Sequence, residues 1–294
     1  MSFFHIFVHT DGHGEGFFGA DKVSASVDSP NAVFSKDVVI VPEKGPPLKQ
    51  TKSSLFYYHG GGLFMGSPFC STYHNYVGSH SAKANPLNTW SLQLMKTWAA
   101  LKWVASHFKI SAHGYETGKT LVLILLVFLL GNSAGGNIVH SVAFQASFED
   151  LNGIKLSGIC LVQPYFGRNY GVVDNCWVIC IGFNDVRIKS AADSGLRSLR
   201  CPRVLVCVTE KDNWRDGTLK NCGWAGETEI VETEGDDHVF HLFNPDSEKA
   251  VALMDKLASF LNQDNHHISL WFHIIRTLFR YQELLTLIKN KINE

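Results

Sequence analysis

Residues 121–140 read LVLILLVFLLGNSAGGNIVH, a long uncharged run followed by a serine among small residues. An apolar run of this length is typical of a strand buried on both faces, as in the middle of a parallel sheet. The segment GGNIVHSVAFQASF, which overlaps and follows it, has the apolar spacing of a helix. The pattern G-x-S-x-G, residues 131–135, therefore lies in a predicted strand-to-helix turn.

Other parts of the chain repeat this alternation of strand and helix. The β-rich runs DVVIV, SLFYY, SGICLVQP, RVLVCV and TEIVET begin at Asp37, Ser54, Ser157, Arg203 and Thr228. Helical patterns lie among them, including TWAALKWVASHF from Thr97, and EKAVALMDKLASFLNQ follows the last strand. Strands that alternate with helices predict an α/β fold with a mostly parallel sheet flanked by helices.

Composition narrows the class of protein. The chain has 294 residues, a formal net charge of -1 and 45% hydrophobic residues, enough for one large α/β domain or two small ones. Near-neutral charge gives no reason to expect a nucleic-acid partner. The start of the chain lacks a basic segment, and the longest apolar run is too short to cross a bilayer as a helix. We therefore expect no secretory signal and no membrane span.

The seven cysteines predict neither a disulfide framework nor a metal site. Their number is odd and no pair has C-x-x-C spacing, so we expect no bound metal and a reducing, cytoplasmic location. Cys160 and Cys207 lie in apolar runs, which predicts buried free thiols. Cys176 and Cys180 are spaced to share a helix face, but coincidence explains that spacing better than a metal site.

Ser133 has the setting of a nucleophile elbow. The turn needs small flanking residues, here Gly131 and Gly135, because larger side chains would clash. It aims the hydroxyl of Ser133 out from the carboxyl edge of the sheet, beside the free N–H groups of a helix N-terminus. The alternative is a glycine-rich turn without chemistry.

A second motif, His59-Gly60-Gly61-Gly62, directly follows the predicted strand SLFYY. A glycine run there lets backbone N–H groups face a pocket without interference from Cβ atoms. Together with the N–H of Ala134, it predicts an oxyanion hole. An ordinary flexible loop is the alternative for the triplet taken alone.

A hydroxyl nucleophile also needs a base and a residue that orients the base. Asp212 is the first aspartate beyond the strand RVLVCV, and His238 follows the acidic turn after TEIVET. The order serine, aspartate, histidine is the order found in this type of hydrolase. Glu210 or Asp216 could replace the aspartate and His241 the histidine; position favours Asp212 and His238.

These segments resemble plant carboxylesterases of the hormone-sensitive-lipase-like α/β-hydrolase family, which also includes gibberellin receptors and hydroxyisoflavanone dehydratases. The matching text includes YYHGGGLFMGSPFCSTYHNYV, GNSAGGNIVH, LRSLRCPRVLVCVTEKDNWRD and TEIVETEGDDHVFHLFNPDSEKAVALMDKLASFLNQ. The resemblance implies an α/β-hydrolase fold and a set of site residues. By this resemblance, Ser133 is the nucleophile, His238 is the base and Asp212 is the partner of the base. The oxyanion N–H groups come from Gly61, Gly62 and Ala134.

Two relatives are distinguished by single residues. The gibberellin receptors resemble this family without the histidine, and the dehydratases have threonine as the nucleophile. This chain has His238 and Ser133, so the resemblance implies a serine carboxylesterase that acts on small esters through an acyl-enzyme, without a cofactor. The alternative is a catalytically impaired, receptor-like binding protein or a truncated gene product; oligomeric state is not predicted.

The chain also departs from the family pattern. The family's GDSAGG reads GNSAGG, with Asn132 in place of a carboxylate. Strands expected within EKGPPLKQTKSS and after SAKAN look missing, which predicts that the strand before His59 lies at an exposed edge. We expect a single domain over residues 1–264, with lid elements from 1–35 and a reduced lid in 165–200. Residues 265–294 form a predicted amphipathic tail, more typical of packing than of membrane binding.

Overall fold

In a computed structural model, the chain forms an open sheet covered by helices. The structure describes residues 6–8, 14–16, 21–24, 53–62, 66–83, 88–92, 97–107, 125–149, 151, 154–166, 199, 201–221 and 227–263. The strands are β1 Ile6–Val8, β2 Gly14–Gly16, β3 Ser53–Tyr58, β4 Asn88–Leu92, β5 Leu125–Asn132, β6 Ile154–Val162, β7 Arg203–Thr209 and β8 Glu227–Thr233. The helices are α1 Ser71–Lys83, α2 Thr97–His107, α3 Ala134–Ala146, α4 Arg215–Asn221, α5 Phe240–Phe243 and α6 248–263.

The main sheet has six strands in the order β4-β3-β5-β6-β7-β8, and every pairing in it is parallel. Strands β1 and β2 form a separate antiparallel pair. The predicted mostly parallel sheet flanked by helices is confirmed. Because all six strands run the same way, their carboxyl ends lie along one rim, where open α/β sheets place their sites.

Strand β5 shows why the apolar run belongs in the centre of the sheet. Val127 and Leu129 pack on the face covered by α2 and α3, whereas Phe128 and Leu130 pack on the face covered by α1 and α6. All four are almost completely buried. Alternating residues thus enter two cores, which is how a strand with helices on both faces stabilises the fold.

The prediction that β3 lies at an exposed edge is wrong. Strand β3 pairs with β5 on one side and with β4 on the other, with Leu55 opposite Thr89 and Tyr57 opposite Ser91. The segment NTWSL is short and only partly apolar, so its sequence does not stand out as a strand. Its pairing with β3 gives it that conformation, and the strand that leads to His59 is held on both sides.

Several predictions fall outside the described residues: the strand within 37–41, the loss of the family's strand within 43–52, the first residues of the apolar run (121–124), the reduced lid in 167–198, and the tail 265–294. Cys160 and Cys207 are buried free thiols as predicted, and Cys70 and Cys201 are also free and buried. No helix in the described part of the chain is long and apolar enough to span a bilayer.

Candidate active site

Ser133 lies between β5 and α3 in a conformation that few residues other than glycine adopt. Its φ is 54° and its ψ is -123°. Four backbone hydrogen bonds hold it. Its N–H donates to the carbonyl of Val162 (3.0 Å), and its carbonyl accepts from the N–H groups of Gly136 and Tyr165 (each 3.0 Å) and of Asn137 (3.4 Å). The side chain is buried at the sheet rim, with the residue 8% exposed.

The glycines around Ser133 allow the turn to close against the sheet. A Cβ atom at Gly131 would lie 2.3 Å from the carbonyl oxygen of Gly135. One at Gly135 would lie 1.9 Å from the carbonyl oxygen of Tyr58. Both distances are far inside van der Waals contact, so only glycine fits at either position.

Ser133, His238 and Asp212 form one hydrogen-bonded chain. Nε2 of His238 lies 2.8 Å from Oγ of Ser133, and its Nδ1 lies 2.9 Å from Oδ2 of Asp212. A carboxylate only accepts, so Nδ1 carries the proton and Nε2 is left to accept from the serine hydroxyl. The arrangement can move a proton from the hydroxyl to the imidazole while the carboxylate stabilises the resulting cation.

Asp212 is fixed by backbone groups where β7 ends. Its Oδ1 accepts from the N–H of Trp214 (2.9 Å), and its own N–H donates to the carbonyl of Thr209 (3.2 Å). The carboxylate is therefore anchored through one oxygen while the other faces His238. It is also buried, which strengthens its interaction with the imidazole because little water screens it.

His238 is held in the turn that follows β8. Its N–H donates to Oδ1 of Asp237 (2.7 Å), and the ring of Trp214 meets its imidazole edge-on, with centroids 4.5 Å apart. Tyr165 in turn contacts Trp214 edge-on at 5.1 Å. The imidazole is thus held by ring packing as well as by its hydrogen bonds.

The alternative acid and base residues lie in other environments. Glu210 accepts from the N–H of Gly235, and Asp216 is exposed and paired with Arg215. His241 is buried against Tyr76 on α1, with ring centroids 5.2 Å apart. None of the three alternatives has a hydrogen bond to Ser133 or His238 among the contacts of the described residues.

His241 and His80, from α5 and α1, are buried imidazoles that flank Tyr76. Neither has a hydrogen-bond partner among the residues that the structure describes. Burial lowers the pKa of each from 6.5 to about 3, with the charge of Lys83 adding to the effect at His80 and the other histidines at His241. Both are neutral in the fold.

These two histidines predict acid sensitivity. Above pH 6.5 they are neutral in both the folded and the unfolded chain, but below it only the unfolded chain takes up their protons. The free energy of unfolding should therefore fall with decreasing pH, by up to about 1.4 kcal/mol per unit for each histidine. Urea unfolding at pH 5, 6 and 7 measures this slope. His80→Phe should reduce this slope by the contribution of one histidine. An unchanged slope in the variant would contradict the conclusion that His80 is buried and neutral.

The glycine loop lies beside the serine. A Cβ atom at Gly60 would be 3.1 Å from the carbonyl oxygen of Asn132 and 3.2 Å from Cβ of Ser133. Gly61 and Gly62 have φ values of 96° and 63°, which glycine adopts without strain. A residue with a side chain would be strained at either position, which explains the glycines of this loop.

His59 holds the start of this loop. Its Nδ1 hydrogen-bonds the carbonyl of Gly60 (2.8 Å), and its ring packs on Tyr73 with centroids 5.0 Å apart. Burial lowers its pKa, so the imidazole stays neutral. Its contact is to the loop backbone and not to Ser133, which makes it a support for the predicted oxyanion loop.

Sequence reasoning missed several residues that hold the site. Trp214 packs on His238, and the amide of Gln163 accepts from the N–H of Val239. Tyr57 donates to Oδ1 of Asn132 (2.6 Å), the residue that stands in place of the family carboxylate. The only sequence signals were a tryptophan two residues after the predicted acid and a glutamine that ends an apolar strand before a proline.

The described residues include no group of three or more histidine, cysteine, aspartate or glutamate side chains placed to hold a metal ion.

Residues 55–242 match the family model of the α/β-hydrolase fold, and the chain belongs to this family. Two solved structures support the fold: an esterase from the archaeon Pyrobaculum calidifontis and a thermostable esterase from Pseudomonas putida. The first has a TM-score of 0.55 and 21% identity, covering 78% of this chain and 85% of that one. The second has a TM-score of 0.57 and 19% identity, covering 81% and 84%.

Within that family, the chain is a member of the plant carboxylesterase group of hormone-sensitive-lipase-like hydrolases. It is 33% identical to the Arabidopsis thaliana protein named probable carboxylesterase 5, over 86% of this chain and 95% of that one. It is 27% identical to the 2-hydroxyisoflavanone dehydratase of Glycyrrhiza echinata, over 86% and 93%. The sequence resemblance to this group is therefore confirmed.

Proposed function

We propose that the protein is a serine carboxylesterase that hydrolyses small carboxylic esters through an acyl-enzyme. The observation that carries the proposal is the hydrogen-bonded chain from Ser133 through His238 to Asp212. The serine hydroxyl is the nucleophile, the imidazole is the general base, and the carboxylate orients that imidazole. Relatives named as probable carboxylesterases support the same reaction class.

In the first half-reaction, Oγ of Ser133 attacks the ester carbonyl and its proton passes to Nε2 of His238. The negative charge that develops on the carbonyl oxygen is stabilised by the backbone N–H groups of Gly61, Gly62 and Ala134. The N-terminus of α3 adds its positive dipole end. The imidazolium then gives its proton to the leaving alcohol, and the acyl group remains on the serine.

In the second half-reaction, water attacks the acyl-enzyme while His238 accepts its proton. The resulting tetrahedral intermediate expels Ser133, which recovers its proton from the imidazolium, and the carboxylic acid leaves. Every step uses side chains and backbone groups of the chain itself, so the proposal includes no metal or organic cofactor. The proposed substrate is a small ester, and the proposed location is the cytoplasm.

The alternative is a receptor-like protein that binds a small acid or ester without turnover, because missing strands would loosen the glycine loop. Strand β3, which leads into that loop, is paired with β4 and β5. No described feature therefore favours binding without turnover.

A fluorophosphonate probe and a short-chain aryl ester test the proposal. The wild-type chain should hydrolyse the ester and react with the probe at Ser133. Asp212→Asn should slow ester turnover by about 10⁴-fold, because an amide neither fixes the imidazole tautomer nor stabilises its cation.

The matched control is Asp216→Asn, which removes an exposed carboxylate four residues further along the chain. The ester turnover of this variant should stay within about twofold of that of the wild type, since a surface ion pair contributes little to stability. A folded wild-type chain that neither labels nor hydrolyses the ester would overturn the proposed function. Equal losses in the two variants would overturn the role of Asp212.

A further inference from the structure

Residues 163–165, the Gln-Pro-Tyr segment that follows β6, touch all three loops of the proposed catalytic chain. Tyr165 donates its N–H to the carbonyl of Ser133 (3.0 Å) and packs edge-on against Trp214. Trp214 donates its N–H to Asp212 and packs against His238. One short segment is therefore in contact with the nucleophile and with the loops that carry the acid and the base.

Gln163 is held rigidly at the start of this segment. Its φ is 46°, a left-handed conformation that side chains other than asparagine and aspartate seldom adopt. Its N–H donates to the carbonyl of Cys207 on β7 (2.7 Å), and the residue is 1% exposed. Its neighbour Pro164 accepts from Oγ1 of Thr218 on α4 (2.9 Å). The backbone here is thus fixed to both β7 and α4.

The side chain of Gln163 reaches across to the turn that carries the base. Its Oε1 accepts the backbone N–H of Val239, the residue after His238. Val239 is also left-handed, with φ 49°, which is strongly disfavoured for a β-branched residue. A strained turn persists only where its surroundings hold it, and the amide of Gln163 supplies a buried hydrogen bond at that point.

In the part of the chain that the structure describes, the residues other than glycine with positive φ are Ser133, Gln163 and Val239. All three lie at the proposed site. Ser133 is the proposed nucleophile, Val239 follows the proposed base His238, and Gln163, at the end of β6, hydrogen-bonds to Val239. Strained backbone concentrated at one place is typical of a functional site. Here two of the three strained residues, Gln163 and Val239, are joined to each other by a hydrogen bond.

We propose that Gln163 is a positioning residue for His238: its side-chain carbonyl fixes the turn at Val239 so that Nε2 faces Oγ of Ser133. This inference rests on the proposed function. Without the acceptor, the turn relaxes toward an ordinary backbone conformation and the imidazole spends less time within 2.8 Å of the hydroxyl. The effect falls on turnover, because a misplaced base slows proton transfer while the substrate pocket stays intact.

Three substitutions at Gln163 separate the roles of its side chain. Gln163→Met keeps the length and removes the acceptor. Gln163→Asn keeps the amide and suits the left-handed backbone, but is one methylene too short to reach Val239. Both should lower kcat for a short-chain aryl ester by about 10- to 100-fold with KM changed by less than about threefold.

Gln163→Glu retains an acceptor of the right length and is the rescue variant. It should keep kcat within about fivefold of the wild type. The added carboxylate should also move the acid limb of the kcat/KM profile to higher pH, because a nearby negative charge favours the imidazolium. Low activity in all three variants would show that glutamine is needed for packing alone and would overturn the proposal.

Ser147→Ala is the matched control, since it deletes a buried side-chain hydrogen bond to the carbonyl of Ala143 at the far end of α3. It should lower the melting temperature without changing kcat. If Gln163→Met loses no more activity than this control at an equal loss of stability, the positioning role is refuted.

The proton between His238 and Asp212 provides a readout that does not depend on turnover. Its downfield NMR resonance should be sharp in the wild type and in Gln163→Glu, and broadened by exchange in Gln163→Met. If the wild type shows this pattern but hydrolyses no ester, the proposed function fails while the positioning role stands. An unchanged resonance in Gln163→Met would overturn the positioning role.

Discussion

Ser133→Ala should lower kcat for a short-chain aryl ester by about 10⁶-fold while leaving the fold intact. The substitution removes the hydroxyl that His238 contacts at 2.8 Å. Alanine fits the space of the serine, and the backbone hydrogen bonds of residue 133 to Val162, Gly136 and Tyr165 do not involve the side chain. Steady-state kinetics measures the loss.

Two further measurements make this result specific. The melting temperature of Ser133→Ala should lie within a few degrees of the wild type, since only one oxygen is lost. Labelling by a fluorophosphonate should disappear completely, because the probe forms its bond to Oγ. A variant that still hydrolyses the ester at a rate comparable to the wild type would show that another residue is the nucleophile.

Gly135→Ala should strongly destabilise the fold. Its Cβ would lie 1.9 Å from the carbonyl oxygen of Tyr58 and 2.7 Å from that of His59. These are backbone atoms at the end of a strand paired on both sides, so they cannot move without breaking the centre of the sheet. We expect a loss of at least about 3 kcal/mol of the free energy of unfolding, a large share of the roughly 5–15 kcal/mol of a typical domain.

Gly78→Ala is the matched control for this glycine substitution. Gly78 lies in α1, and a Cβ atom there would have nothing within 4 Å. Alanine should stabilise that helix by about 0.5–1 kcal/mol, because glycine costs backbone entropy in a helix interior. Soluble yield and urea unfolding measure both variants. A soluble Gly135→Ala chain with wild-type stability would mean that α3 is not seated on β3 as described.

Much of this fold follows from patterns that depend on a residue's neighbours in sequence. The strand ending at Asn132, the helix that follows and the glycines between them are set by local sterics and by burial on two faces. Asp212 and His238 could be predicted because each lies in the loop that follows a strand, and parallel strands end at the same rim. Position along the chain favoured these two residues over Glu210, Asp216 and His241 but did not exclude the alternatives.

Two features could not be predicted because they depend on contacts distant in sequence. Strand β4 has a short, partly polar sequence, and its conformation comes from pairing with β3. The side chain of Gln163 contacts Val239, 76 positions away in the sequence. This contact depends on the left-handed backbone conformation of both residues. No periodicity encodes such a contact.

Strand β8, which leads to His238, lies at the border of the six-stranded sheet and pairs with β7 alone among its described strands. Its acidic side chains discourage the docking of a foreign strand: Glu227, Glu229 and Glu232. Glu229 pairs with Lys256 and Glu232 with Arg215, but these ion pairs do not replace a neighbouring strand. We therefore expect fraying on warming to begin at β8, whereas β5, which leads to Ser133, is paired on both sides. On heating, we therefore expect His238 to lose its position before the centre of the sheet around Ser133 unfolds.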